Sequence, residues 1–257
     1  MMNNNPIGVY DSGFGGLSVW RELYRALPEE SIIYLGDGKN CPYGQKPAEE
    51  IRYLATKSVQ ELLSRGCKMI VVACNTATAA AIEHLRAMFP DLPFVGLEPA
   101  VKPACKSTRS GVVGVIATER SLKSEKFLAT LAKYGDGVEV IKAVGKGFVE
   151  AVEANAENCA STEQVVRAVV EPIIDRGADV LVLGCTHYPF LKDVIAKVVG
   201  ERNVEIIDSG EAVEKRVESL LDEYNLRAEA GHKAEYEFIS FADGDYEERL
   251  RRKAFSE

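Results

Sequence analysis

Residues 62–78 read LLSRGCKMIVVACNTAT and residues 173–189 read IIDRGADVLVLGCTHYP. In each, an Arg-Gly pair precedes a short aliphatic run and then a cysteine eight residues after the glycine, Gly66 to Cys74 and Gly177 to Cys185. A continuous apolar run bounded by turn residues and followed by helical periodicity reads as a buried strand of a parallel sheet. Both cysteines therefore fall where a strand ends and a helix begins. Open α/β sheets bind ligands at that carboxyl end, and a helix N-terminus favours the thiolate of a residue whose free pKa is about 8.5. A lone cysteine there is equally well a small buried hydrophobe, but two at matched positions ask for a shared reason.

Strands are expected at residues 7–10, 32–35, 69–73, 94–96, 112–116, 138–141, 180–183, 204–207 and 236–241, with helices filling the gaps and a charged helix at 246–253. Pro47 reads as a first-turn proline of a helix running to Arg65, and Ser161-Thr-Glu-Gln164 as a capping box opening a helix to Arg176. Gly8 lies 66 residues before Cys74 and Gly114 lies 71 before Cys185, so the repeat extends to an earlier strand of each half. The expected fold is α/β, two pseudo-symmetric domains with mostly parallel sheets and the active site in the cleft between them. The first domain is expected to take residues 1–98 plus 208–257 and carry Cys74; the second, 99–207, carries Cys185. Pro99 and Pro103 punctuate the boundary.

Of the 257 residues 46% are hydrophobic, enough for well-formed cores, and 31 basic against 39 acidic residues leave a net charge of −8. Interspersed charges of that sign argue against nucleic acid as a partner. MMNNNPIG lacks the basic start and apolar stretch of a signal peptide, and the aliphatic runs are far short of a membrane span, so a cytoplasmic protein is expected. The six cysteines contain no C-x-x-C and the three histidines do not sit at ligand spacing, so neither a disulfide framework nor a metal site is expected.

Matched thiols in two related halves suit a reaction that takes a proton from one face of a carbon and returns one to the other: racemisation or epimerisation. One thiol starts as thiolate and the other as thiol. Asp11-Ser12-Gly13-Phe14-Gly15-Gly16 follows the first strand but departs from the dinucleotide loop, because Ser18 stands where its last glycine would be. The loop can offer backbone N–H groups to an anion, and Asp11 either caps the helix or joins the chemistry. Residues 36–45, ending in Cys41-Pro42-Tyr43-Gly44-Gln45, read as a binding loop. Asn75 and Thr76 beside Cys74, and Thr186 and His187 beside Cys185, can bond an amino acid's carboxylates and ammonium. In the helix around 148–153, Phe148, Val149 and Val152 form one stripe; Glu153 lies near its edge and Glu150 nearly opposite, so Glu153 is the glutamate able to reach inward.

These residues resemble the glutamate racemases, cofactor-independent enzymes that interconvert L- and D-glutamate for the bacterial cell wall. The resemblance rests on residues 11–16, Pro42-Tyr43-Gly44, Ala73-Cys-Asn-Thr-Ala77 and Gly184-Cys-Thr-His-Tyr-Pro189, in the family's order. It implies that Cys74 and Cys185 are the acid/base thiols, that Asp11 and His187 assist on the two sides, and that Glu153 is a further acidic site residue. It places Ser12, Pro42, Tyr43, Gly44, Asn75, Thr76, Thr118 and Thr186, with Asp11 and His187, on the substrate. It also implies no cofactor, a small-molecule substrate and a homodimer. The chain departs from the family at Gly38-Lys39-Asn40-Cys41 and at Ala143-Val-Gly-Lys-Gly147. Racemisation of aspartate and mere binding of a small anion are the competing readings.

Overall fold

The computed structural model describes residues 3–256, which form two compact units. The first begins with β1 (Ile7–Asp11), α1 (Leu17–Ala26), β2 (Ile32–Gly36), α2 (Ala48–Ser64), β3 (Met69–Val72), α3 (Asn75–Met88) and β4 (Phe94–Gly96). The second runs from Glu98 to Ser209 and holds α4 (Val101–Ser107), β5 (Val112–Ala117), α5 (Glu119–Lys123), α6 (Glu125–Tyr134), β6 (Glu139–Val144), α7 (Phe148–Glu153), α8 (Ala160–Ile174), β7 (Val180–Gly184), α9 (Lys192–Val199) and β8 (Glu205–Ile207). From Gly210 the chain belongs to the first unit again, with α10 (Gly210–Glu223), β9 (Tyr236–Ser240) and α11 (Tyr246–Phe255).

Both sheets are parallel throughout. The strand order is β4-β3-β1-β2-β9 in the first and β6-β5-β7-β8 in the second. Reversed, the first contains β2-β1-β3-β4, so β1 corresponds to β5 and β3 to β7. The register carries the correspondence to single residues. Gly8 of β1 pairs with Ile70 and Gly114 of β5 with Leu181, and each cysteine lies four residues beyond that partner. The two glycines share a steric cause. A Cβ on Gly8 would stand 2.7 Å from Ile70 Cδ1, and one on Gly114 would stand 2.4 Å from Ile173 Cγ2 and 2.7 Å from Leu181 Cδ2. At both positions a side chain would have to displace its neighbours in the sheet or on the packed helix.

Strands β1, β2, β3 and β7 are buried along their whole length, as strands covered on both faces must be, which is why they read as unbroken apolar runs. In the first unit Ile33, Leu35, Ile70 and Val72 pack with Ile51, Val59 and Leu62 of α2 and Leu85 of α3. In the second, Val113, Val115, Val180 and Val182 pack with Val101 and Ala104 of α4 and Phe127 of α6. Each such side chain contributes about 1.5–3 kcal/mol by leaving water. The returning segment is held by aromatics: Trp20 of α1 lies 5.2 Å from Phe238 of β9 and 5.1 Å from Phe255 of α11, ring centroid to centroid.

Several local expectations shift. Pro47 precedes its helix: its backbone is extended and its carbonyl accepts the first helical bond, from Ile51 N. The capping box does not form. α8 starts at Ala160 with Cys159 as N-cap, so Ser161 lies inside the helix and cannot cap it with Gln164 as its reciprocal partner. β6 runs to Val144, past the end of its apolar alternation, because Ala117 of β5 still pairs with it there. Among the described residues, no helix is long and apolar enough to cross a membrane.

Candidate active site

In the first unit Cys74 is the N-cap of α3, directly after β3, with extended backbone and a buried thiol that accepts from Ala77 N at 3.5 Å. Its sulfur lies 3.7 Å from Ser12 Oγ, so the end of β1 and the end of β3 meet at the thiol. The preceding loop is rigidly held. Asp11 Oδ2 accepts from Gly13 N at 3.1 Å and Gly16 N at 3.0 Å, and Tyr34 Oη donates to Gly13 O at 2.7 Å. Those two N–H groups, which the sequence suggested for an external anion, already serve Asp11. The N-cap of α1 is Gly16, so Asp11 braces the loop rather than capping the helix. A Cβ on Gly16 would lie 2.6 Å from Asp11 Cβ, which fixes glycine there.

Asn75 and Thr76 open α3 and are buried, and Asn75 Nδ2 has no hydrogen-bond partner among the described residues. A buried amide donor without a partner costs about 1–3 kcal/mol, and an anionic ligand would supply the missing acceptor. The 36–45 loop carries Pro42, after a cis peptide, and a short 3-10 turn with Tyr43 and Gly44. Tyr43 is buried. Its hydroxyl donates to Asp37 Oδ2 at 2.6 Å and accepts from Tyr10 Oη at 2.9 Å, while Asn40 Nδ2 donates to both Asp37 oxygens at 2.9 and 3.0 Å. Burial pushes both phenols far above their ordinary range. The charge of Cys74 adds to the effect at Tyr10, and the neighbouring Tyr10 and the Asp37 carboxylate add to it at Tyr43. Both stay protonated donors, so the direction of the chain from Tyr10 through Tyr43 to Asp37 is fixed. Sequence reading passed over Tyr10, because within β1 it reads as one more core residue, and left Asp37 without a role.

In the second unit Cys185 follows β7 and is buried, with Thr186 and His187 buried beside it. Cys185 Sγ lies 3.8 Å from His187 Nδ1, and His187 Nε2 lies 2.6 Å from Glu153 Oε1 at the end of α7. An ionised carboxylate only accepts, so Nε2 donates to it and Nδ1 is left facing the thiol. Glu150, on the other face of α7, is exposed. Thr118 caps α5, its hydroxyl accepting from Ser121 N at 3.2 Å and sharing a hydrogen bond of 2.9 Å with Ser121 Oγ. Tyr188 is the residue whose place the sequence did not reveal: its ring is buried against Phe148, and burial, followed by the charges of Cys185 and Glu150, raises its phenol well above the ordinary value.

Each unit thus presents one buried thiol at the carboxyl end of corresponding strands, with a carboxylate nearby in the fold: Asp11 at the end of β1, Glu153 through His187. The companions differ. The first unit surrounds its thiol with hydroxyls and an amide; the second gives its thiol an imidazole backed by a glutamate. Within each unit taken alone, the described residues bring no three His, Cys or carboxylate ligand atoms together.

The Asp/Glu/Hydantoin racemase family model matches residues 10–216. A glutamate racemase of Ectopseudomonas mendocina is 49% identical over 223 residues, 87% of this chain and 84% of its own. That of Methylococcus capsulatus is 50% identical over 220 residues, 86% of this chain and 80% of its own. The crystal structure of a glutamate racemase isoform of Bacillus anthracis shares the fold at a TM-score of 0.85 and 32% identity, over 98% of this chain and 94% of that one. The Francisella tularensis glutamate racemase, solved in complex with D-glutamate, follows at 0.83 and 31%, over 99% and 95%. The chain belongs to the Asp/Glu/Hydantoin racemase family and stands among its glutamate racemases.

Proposed function

We propose that this racemase interconverts L- and D-glutamate by a two-thiol proton transfer, with Cys74 and Cys185 as the two bases. The observation that carries the reading is the equivalence of the two cysteines, each buried and each four residues beyond the partner of a closely packed glycine. A thiolate on one side removes the α-proton, and the thiol on the other returns a proton to the opposite face. With the substrate's other hand the roles exchange. On the Cys185 side, Nδ1 of His187 takes and returns the thiol proton while Glu153 holds the ring. On the Cys74 side, Ser12 and the start of α3 face the sulfur, and Asp11 keeps their loop in place. Asn75 Nδ2, with Thr76, Thr118 and Thr186, supplies donors to the carboxylates, whose charge grows as the carbanion forms. Pro42, Tyr43 and Gly44 close the binding loop. The reading requires no cofactor.

The preference for glutamate rests on the identity to glutamate racemases, including the Escherichia coli enzyme solved with L-glutamate. The reading extends to two domains at residues 1–98 with 208–257 and at 99–207, to a cytoplasmic homodimer, and to D-glutamate supply for peptidoglycan. Proton NMR of L-glutamate with the purified protein in D2O, alongside a chiral assay, tests it. Loss of the α-proton signal with appearance of D-glutamate is expected. Exchange on aspartate but not glutamate would overturn the substrate assignment, and exchange on neither would overturn the activity.

A further inference from the structure

Glu153 reaches His187 from α7, a helix of six residues with no side-chain cap at its start. So short a helix does not fix its own direction; packing must. Its N-terminal end rests on one ring. Phe148, the first residue of α7, meets Tyr188 edge to face at 5.0 Å and 72°, and both are buried. The turn before it lies flat on the same ring: a Cβ on Gly145 would stand 2.5 Å from Tyr188 Oη, 2.6 Å from Cζ and 3.0 Å from Cε2. Gly145 O accepts from Phe148 N at 3.3 Å and faces the Tyr188 hydroxyl at 3.4 Å, and Gly147 enters the helix at φ 82°, a left-handed angle that favours glycine. Tyr188 is also the next residue after His187. A single side chain therefore sets both the backbone carrying the imidazole and the helix carrying its carboxylate.

We propose that Tyr188, wedged against Gly145 and Phe148, is a positioning residue that holds Glu153 on His187 and so aligns the imidazole with Cys185. Gly145 and Gly147 belong to the stretch 143–147 at which the chain departs from the family, and only a residue without Cβ lies on the ring at 145. The inference rests on the two-thiol reading of the site.

The test is Gly145→Ala in the full chain, with Phe148→Leu as a second variant that removes the ring contact without adding bulk and Glu153→Gln as reference. The equilibrium constant of racemisation is one, so kcat/KM must fall equally for both hands; about tenfold is expected from loss of a charge-assisted hydrogen bond. The α-deuterium isotope effect on kcat/KM separates positioning from general damage. It should rise for the hand whose proton Cys185 removes and fall for the other, as the Cys185 step becomes limiting. The Nε2 proton of His187, held by Glu153 at 2.6 Å, should give a low-field NMR resonance in the wild type that is lost in Gly145→Ala and weakened in Phe148→Leu. Folded Gly145→Ala or Phe148→Leu protein that keeps wild-type isotope effects and the His187 resonance overturns the inference while leaving the two-thiol reading intact. A wild type that racemises neither hand overturns both.

Discussion

Lys68, just before β3, is buried with Glu30, and the pair ties together four stretches of the first unit. Its Nζ lies 2.5 Å from Glu30 Oε2 and 2.6 Å from Asn3 O, while Glu30 Oε1 accepts from Ala228 N at 2.8 Å. The side chains are 1% and 5% exposed, so neither charge has water to fall back on. Burial pulls the ammonium below its ordinary pKa and Glu30 pushes it back up. Lys68→Met keeps the stem and removes the charge, leaving a buried carboxylate with Ala228 N as its donor. Breaking such a pair from one side costs about 3–5 kcal/mol. At about 2–4 °C per kcal/mol for a chain of this size, the melting temperature should drop by roughly 6–20 °C. Adding Glu30→Gln removes the stranded charge and keeps an acceptor for Ala228 N, so the double variant should lie within about 2 kcal/mol of wild type. Thermal and urea unfolding followed by circular dichroism measure both. A Lys68→Met protein melting within about 2 °C of wild type, or a double variant no better than the single one, would refute the reasoning.

Cys74→Ala and Cys185→Ala should each abolish racemisation of both hands with the melting temperature nearly unchanged, because each removes one of the two bases; full activity in either variant ends the two-thiol mechanism. Glu153→Gln keeps the shape and loses the charge, and charged hydrogen bonds are about twice as strong as neutral ones, so kcat/KM should fall about fivefold to tenfold. Glu153→Ala loses the whole bond and should fall about tenfold to a hundredfold; wild-type rates in both variants would show that the carboxylate does not matter there. Asp179 is pushed up by burial, but the Thr108 hydroxyl and the N–H groups of Arg109 and Ser110 outweigh this and hold it down to about 2. Because the folded value lies below the unfolded value of about 3.9, its contribution is complete above pH 4 and is lost as pH falls towards 2. The melting-temperature gap between wild type and Asp179→Asn should thus be constant from pH 5 to 7 and close between pH 4 and 2, and a gap independent of pH would refute the assignment.

The parallel α/β character, the repeat and the two cysteines were legible in the sequence because they depend on local pattern. Strands buried on both faces are apolar throughout, helices follow with their own period, and a thiol between them lies at the ligand-binding end whatever the rest of the chain does. Glu153 and Glu150 fall on different faces of α7 for the same reason: helical geometry is local. What the sequence could not hold was every pairing between distant residues. That β9 joins β2, that Lys68 meets Glu30, that Tyr43 stands between Tyr10 and Asp37, and that Tyr188 seats the turn at Gly145 are facts of packing. The failed capping box shows the limit in miniature, since Ser161-Thr-Glu-Gln164 has the right letters but the helix begins at Ala160, which leaves Ser161 inside it. Local periodicity is fixed by the backbone's own geometry, whereas a partner across the fold is chosen by burial, where an unpaired polar group costs more than a local cap returns.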